Sequence, residues 1–184
     1  MISGTKLFID TEFTDLRQNA ALISLGIVAD DGKSFYAEFT DFSVEQASDY
    51  VRTDILPLLE LRNQEEGFVE KQDGNWRMKG TRQMITAELK NFLAQFSQLI
   101  CWLDYTAYDW VLFCELFGGS FHLPSNLYYI PFDLMTLMVL KGEDPDQDRL
   151  AFVAETWEAG EIPQRHHALW DARILRQAWH KLME

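Results

Sequence analysis

Residues 21–39 constrain the fold more than any other stretch of this chain. Ala21-Leu22-Ile23-Ser24-Leu25-Gly26-Ile27-Val28-Ala29 is nearly all apolar. Asp30-Asp31-Gly32-Lys33 follows, and then Ser34-Phe35-Tyr36-Ala37-Glu38-Phe39. An Asp-Gly step between two such runs signals a hairpin. The two runs therefore read as antiparallel strands. Residues 5–10, within Lys6-Leu7-Phe8-Ile9-Asp10-Thr11-Glu12-Phe13, read as a strand ahead of them. Three strands in succession open the chain.

Beyond the hairpin the pattern changes period. Residues 44–59 read as mainly helical, with Pro57 near their end. Residues 60–80 are polar and irregular, with Gly67, Gly74 and Gly80, and read as a loop or small excursion suited to variable substrate contacts. Thr81 is an N-cap for a helix to about residue 97, whose Ile85, Leu89, Phe92, Leu93 and Phe96 recur at helical spacing. Leu99–Leu103 reads as a buried strand. Tyr108–Phe117 reads as a helix stopped by Gly118-Gly119. A short strand at 127–130 and helices at 133–141 and 149–158 follow. A last helix runs from near His167 to Leu182, with Ala168, Ala172, Leu175, Trp179 and Leu182 on one stripe. The expected architecture is α/β: a mixed sheet of about five strands, the first three antiparallel, with helices on its faces. The 184 residues fit one domain, 1–184.

Charge narrows the function classes. With 29 acids against 16 bases the net charge is −13, which argues against a protein that coats nucleic acid through a broad basic face. It permits one that grips a short end. No apolar run is long enough to span a bilayer, so no membrane partner is expected. The first five residues lack the basic-then-apolar pattern of a secretory signal. Cys101 and Cys114 lie in apolar surroundings without metal-ligand spacing, as expected of reduced thiols in a cytoplasmic protein.

The chemistry-bearing residues begin at the end of the first strand. Asp10 and Glu12, two apart, project to one face. Two carboxylates held that close repel unless a cation lies between them, and oxygen-rich sites favour Mg²⁺ or Mn²⁺. Asp109 opens the helix after the 99–103 strand; on its own it reads first as a partner of the helix N-terminus, and Asp104 competes with it for a functional role. Asp171 lies on the flank of the last helix's apolar stripe, turned toward the sheet, where an unpaired charge needs a cation or strong hydrogen bonds. His166 stands five residues earlier and suits a general base; with His167 it reads equally as the cap of a helix start.

Taken in order, Asp10-Thr11-Glu12-Phe13, Tyr108-Asp109-Trp110 and His166-His167-Ala168-Leu169-Trp170-Asp171-Ala172 resemble the motifs of the DEDDh (DnaQ-like) 3′→5′ exonucleases, which have an RNase H-like fold. Leu22–Val28, Asp31–Tyr36 and Val51-Arg52-Thr53-Asp54-Ile55-Leu56-Pro57 are similar to a narrower branch, the short stand-alone bacterial and phage exoribonucleases. The resemblance implies metal-dependent removal of nucleoside 5′-monophosphates from RNA 3′ ends, single-stranded or overhanging. It implies two Mg²⁺ or Mn²⁺ ions held by Asp10, Glu12, Asp109 and Asp171, with Asp10 bridging and His166 as general base. The second histidine, His167, leaves open which imidazole reaches the water. Thr11, Phe13 and Tyr108 beside the acids, and the basic Arg77, Lys79 and Arg82, are the expected substrate contacts. The acids alone do not distinguish RNA from DNA, so a DNA exonuclease or an oligoribonuclease is the alternative, with a non-catalytic nucleic-acid-binding module behind it. A homodimer is in keeping with the resemblance.

Overall fold

The structure, a computed structural model, describes residues 3–157 and 163–184. Seven strands form one mixed sheet: β1 Thr5–Phe13, β2 Leu22–Ala29, β3 Ser34–Phe39, β4 Val69–Gln72, β5 Asn75–Gly80, β6 Leu99–Leu103 and β7 Phe132–Asp133. Their order is β4-β5-β3-β2-β1-β6-β7. The opening β1-β2-β3 meander is antiparallel, as expected, while β6 joins β1 and β5 joins β3 in parallel. The helices are α1 Arg82–Leu93, α2 Thr106–Glu115, α3 Leu134–Lys141, α4 Arg149–Val153 and α5 Ala168–Met183. None of the helices among the described residues is long and apolar enough to cross a membrane.

Strand alternation sorts the sheet into two faces. Leu7, Ile9, Leu25, Ile27, Phe35 and Ala37 pack against Ile85, Leu89 and Phe92 of α1 and Leu112 and Phe113 of α2. Phe8 points the other way, into a cluster with Leu134 and Met138 of α3, Phe152 of α4 and Ile174, Leu175 and Ala178 of α5. The two-residue register thus directs Asp10 and Glu12 toward the α5 side.

The sheet exceeds the five strands expected, and the difference lies in residues 60–80. These are not a loop throughout: β4 and β5 pair antiparallel around Asp73-Gly74. Both turn residues have positive φ, 49° and 83°, the backbone that an Asp-Gly hairpin turn takes. Every residue of β4 is exposed, so this edge strand shows no apolar alternation in sequence. The expected strand at 127–130 reduces to one bridge, Leu127 to Leu99, with β7 two residues beyond it.

The helix expected over 44–59 is instead a 3₁₀ turn at Val44–Gln46, a π-helical turn at Val51–Ile55 and another 3₁₀ turn at Leu56–Leu58. Pro57 lacks an N–H and clashes with the preceding turn, which prevents a continuous helix. The apolar stripe survives: Ala47, Val51 and Ile55 still pack on Ile23. The helix expected over 149–158 ends at Val153, and residue 158 lies outside the described residues.

Candidate active site

The C-terminal end of β1 lies mid-sheet, between β2 and β6. Asp10 is paired with Gly26 of β2, and Glu12 with Ser24. Directly after Glu12 the register slips, so that Phe13 opposes Leu22 and Ile23 is an extra residue on β2. Such bulges re-aim side chains next to active sites. Here the strand turns Phe13 onto Tyr108, with ring planes 9° apart and centroids 5.5 Å apart. Tyr105 also stacks on Tyr108, at 5.5 Å.

Gly26 brings the third acid into reach. A Cβ there would lie 2.2 Å from the carbonyl carbon and oxygen of Ala168, the first residue of α5. Only a glycine lets the start of this helix rest on β2 beside Asp10. Asp171, in the first turn of α5, accepts a hydrogen bond from the His167 backbone N–H at 3.0 Å. Single ligand oxygens of Asp10, Glu12 and Asp171 all lie within 4.8 Å of one another. That spacing suits one divalent cation.

Asp109 stands beside this trio, not within it. It is buried in the first turn of α2, and its Oδ1 accepts the Thr11 hydroxyl at 2.6 Å. Thr11, expected as a substrate contact, is itself buried, and its hydroxyl is committed to Asp109. All four acids line one cleft of about 490 Å³, with Phe13, Tyr105, Asp104, Arg149, Arg165 and His166 on its walls. Asp104 is paired with Arg149 at 3.0 Å, and Arg165 with Asp148.

The two histidines take opposite sides. His166 is exposed at the cleft wall in the left-handed backbone region, φ 59°, which histidine tolerates better than most residues. The Tyr50 hydroxyl lies 3.0 Å from its Nε2. His167 is buried away from the cleft, stacked on Tyr36 at 4.6 Å.

The basic residues of 77–82 do not reach the cleft. Arg77 and Lys79 lie on β5, the third strand from β1, roughly 14 Å away at about 4.8 Å per strand. Arg77 pairs with Glu60 at 2.6 Å and Glu70 at 3.3 Å. Lys79 donates to the carbonyls of Leu61, Arg62 and Gln64, tying down the preceding loop. Arg82 begins α1, where its backbone N–H donates to Asp41. Sequence reasoning instead missed Tyr50, Glu60 and Arg149, whose contacts with the site region span tens of residues and carry no local pattern.

Burial and crowding perturb every acid. Asp10 lies well above the usual carboxylate range, through burial first and then repulsion from Asp109, Asp171 and Glu12. Burial, then Asp171 and Asp109, pushes Glu12 up to about 8. Burial raises Asp109 to about 7, against the hydrogen bond from Thr11. Asp171 rises to about 6 by burial, opposed by the His167 amide. A raised folded-state value means that the folded chain holds these protons more tightly than the unfolded chain does. Stability is then fully present below the unfolded values and is lost as pH rises through the folded ones. In chelator, the melting temperature should fall between about pH 4 and pH 8, and Mg²⁺ should restore more of it at pH 8 than at pH 5. Melts that rise steadily across that window would contradict the repulsive cluster.

The α/β fold thus presents four buried or half-buried acids on the floor of one cleft. A family model described as the 3′-5′ exoribonuclease Rv2179c-like domain matches residues 5–183. The chain belongs to this Rv2179c-like 3′-5′ exoribonuclease family. Among its relatives are the 3′-5′ exoribonuclease Rv2179c of Mycobacterium tuberculosis (strain ATCC 25618 / H37Rv) and the 3′-5′ exoribonuclease MT2234.1 of strain CDC 1551 / Oshkosh. Each is 36% identical over 126 residues, covering 66% of this chain and 67% of the relative.

Proposed function

We propose that this chain is a metal-dependent 3′→5′ exoribonuclease of the DEDDh type on an RNase H-like fold, with residues 1–184 acting as one catalytic domain. It would hydrolyse the last phosphodiester of an RNA 3′ end, single-stranded or overhanging, and release nucleoside 5′-monophosphates. The convergence of Asp10, Glu12 and Asp171 within 4.8 Å carries this reading. Buried acids that repel one another and face a common space fit a divalent cation, because the cation removes the repulsion that burial amplifies. On this reading two ions, Mg²⁺ or Mn²⁺, would be held, one by Asp10, Glu12 and Asp171 and the other by Asp10 with Asp109. When bound, they would supply Lewis acidity to the scissile phosphate and to the departing 3′-oxygen.

The chain's own side chains would do the rest. Thr11 keeps the Asp109 carboxylate facing the cleft. His166 takes a proton from the attacking water. Tyr50 steadies its ring through the contact at Nε2. Phe13 and Tyr108, already stacked, offer an aromatic surface beside the acids for the terminal bases. The partners on this reading are RNA 3′ ends and a second copy of the chain. The reduced, buried Cys101 and Cys114 suit a cytoplasmic setting.

The test is a 3′-overhang RNA and its DNA counterpart, incubated with Mg²⁺, with Mn²⁺ and with EDTA. Shortening of the RNA strand from its 3′ end should require the metal. His166→Ala should lose about 10²- to 10⁴-fold in kcat, the range for a general base. Full activity in EDTA would overturn the mechanism, and equal small losses in His166→Ala and His167→Ala would overturn the base assignment. Preferential shortening of DNA would favour the DNA exonuclease.

A further inference from the structure

The first turn of α5 carries Asp171, yet His166 and the helix start approach the cleft from outside the sheet. Something must hold that helix end in place. The neighbouring His167 side chain is 1% exposed. Its Nε2 faces Glu60 Oε1 at 3.2 Å, and Glu60 Oε2 receives Arg77 at 2.6 Å. The ring lies flat on Tyr36, with planes 20° apart. The Tyr36 hydroxyl in turn donates to Glu38 at 2.8 Å, and Glu38 also accepts the backbone N–H of Leu61, next to Glu60, at 2.7 Å. The imidazole is thus held from one side by stacking and approached from another by the Glu60 carboxylate. The backbone of the same residue exchanges two hydrogen bonds with Asp171: its N–H donates to Oδ2, and its carbonyl accepts the Asp171 N–H, both at 3.0 Å.

We propose that Glu60 and His167 form a positioning pair that sets the Asp171 carboxylate for a divalent cation, with Arg77 holding Glu60 in turn. The proposal rests on the reading of the acid cleft given above. A histidine that served only to fill space would be better replaced by an apolar ring, since both ring nitrogens are buried and neither completes a hydrogen bond by geometry. The approach of Glu60 Oε1 to Nε2 at 3.2 Å gives the polar ring a reason to be there. It also gives residues 60–80 a part in the site without any contact to substrate: Glu60 and Arg77 act through His167.

Mn²⁺ binding to the metal-free full-length chain, read by titration calorimetry or by the spin resonance of free Mn²⁺, tests this independently of turnover. Partners of metal ligands are typically worth 10- to 100-fold in affinity. Glu60→Ala should therefore weaken Mn²⁺ about 10-fold. Glu60→Gln keeps an oxygen for the imidazole and should stay within about threefold of the parent on the same scale. His167→Asn, which keeps the backbone amide but loses the ring, should match Glu60→Ala and supplies the readout should Glu60→Ala not fold. Asp171→Asn is the control for the site itself. If Asp171→Asn loses Mn²⁺ while Glu60→Ala and His167→Asn bind it as the parent does, the positioning role is wrong and the acid site stands. Equal losses in Glu60→Ala and Glu60→Gln also sink it. If Asp171→Asn binds Mn²⁺ unchanged, the acid site and the positioning pair fall together.

Discussion

Asp10→Asn should slow RNA shortening on the order of 10³-fold and, at the same time, make the metal-free protein harder to melt. The two effects have one cause. Asp10 faces three other carboxylates across the cleft floor, and burial raises its pKa well above normal. In the absence of a cation that arrangement is repulsive. An amide of the same shape removes the repulsion, and each ~1 kcal/mol relieved moves the melting temperature by about 2–4 °C in a chain of this size. On the proposed metal-dependent reading, loss of this ligand would remove charge stabilisation of several kcal/mol from the transition state, on the order of 10³-fold in rate. Thermal melts in EDTA at pH 8, beside a gel assay with Mg²⁺, measure both. A variant that is inactive and also less stable without metal would contradict the electrostatic account.

The second large effect is expected at a residue with no side chain. In Gly26→Ala the new Cβ would meet the Ala168 backbone at 2.2 Å, where ordinary contact begins at 3.4 Å. Backbone on both sides leaves no flexible group to yield, so α5 must retreat by about 1 Å. Displacements of that size cost about 10²-fold in rate when they misplace a catalytic group. The strain itself costs about 1–3 kcal/mol. Loss of activity should therefore exceed what the lower melting temperature explains at the assay temperature. An alanine variant with parental kcat would show that α5 does not set the position of Asp171.

The sequence made some of this legible and hid the rest for physical reasons. Asp10 and Glu12 could be placed together because a strand has a two-residue period and Leu7 and Ile9 mark the opposite face. Asp171 could be turned inward because Ala168, Ala172 and Leu175 define the buried side of its helix. Asp109 was ambiguous on its own terms: a carboxylate in a first helical turn is favourable with or without a ligand. The β4–β5 hairpin carried its Asp73-Gly74 signal in plain view, but the exposed Val69–Gln72 edge has no apolar face to give it weight. Arg77, Lys79 and Arg82 looked like a basic track because charge along the chain does not reveal which strand sits beside which. In the sheet, β5 is separated from β1 by two strands, and the positive charges of Arg77 and Lys79 are spent on Glu60, Glu70 and loop carbonyls. Tyr50 and Glu60 reach their histidines across more than one hundred residues of chain, a separation no local pattern spans.

The pairing of β1 with β2 has a consequence for quality control of the enzyme. A one-residue slip between these strands would exchange the faces of β1, sending Asp10 and Glu12 into the layer where Leu7 and Ile9 now meet α1 and α2. Two bare carboxylates in that apolar layer would cost far more than marginal stability allows. Molecules that mispair would therefore fail to fold at all, instead of accumulating as compact but inert copies. The acids that make the site act, during assembly, as markers of correct strand registration.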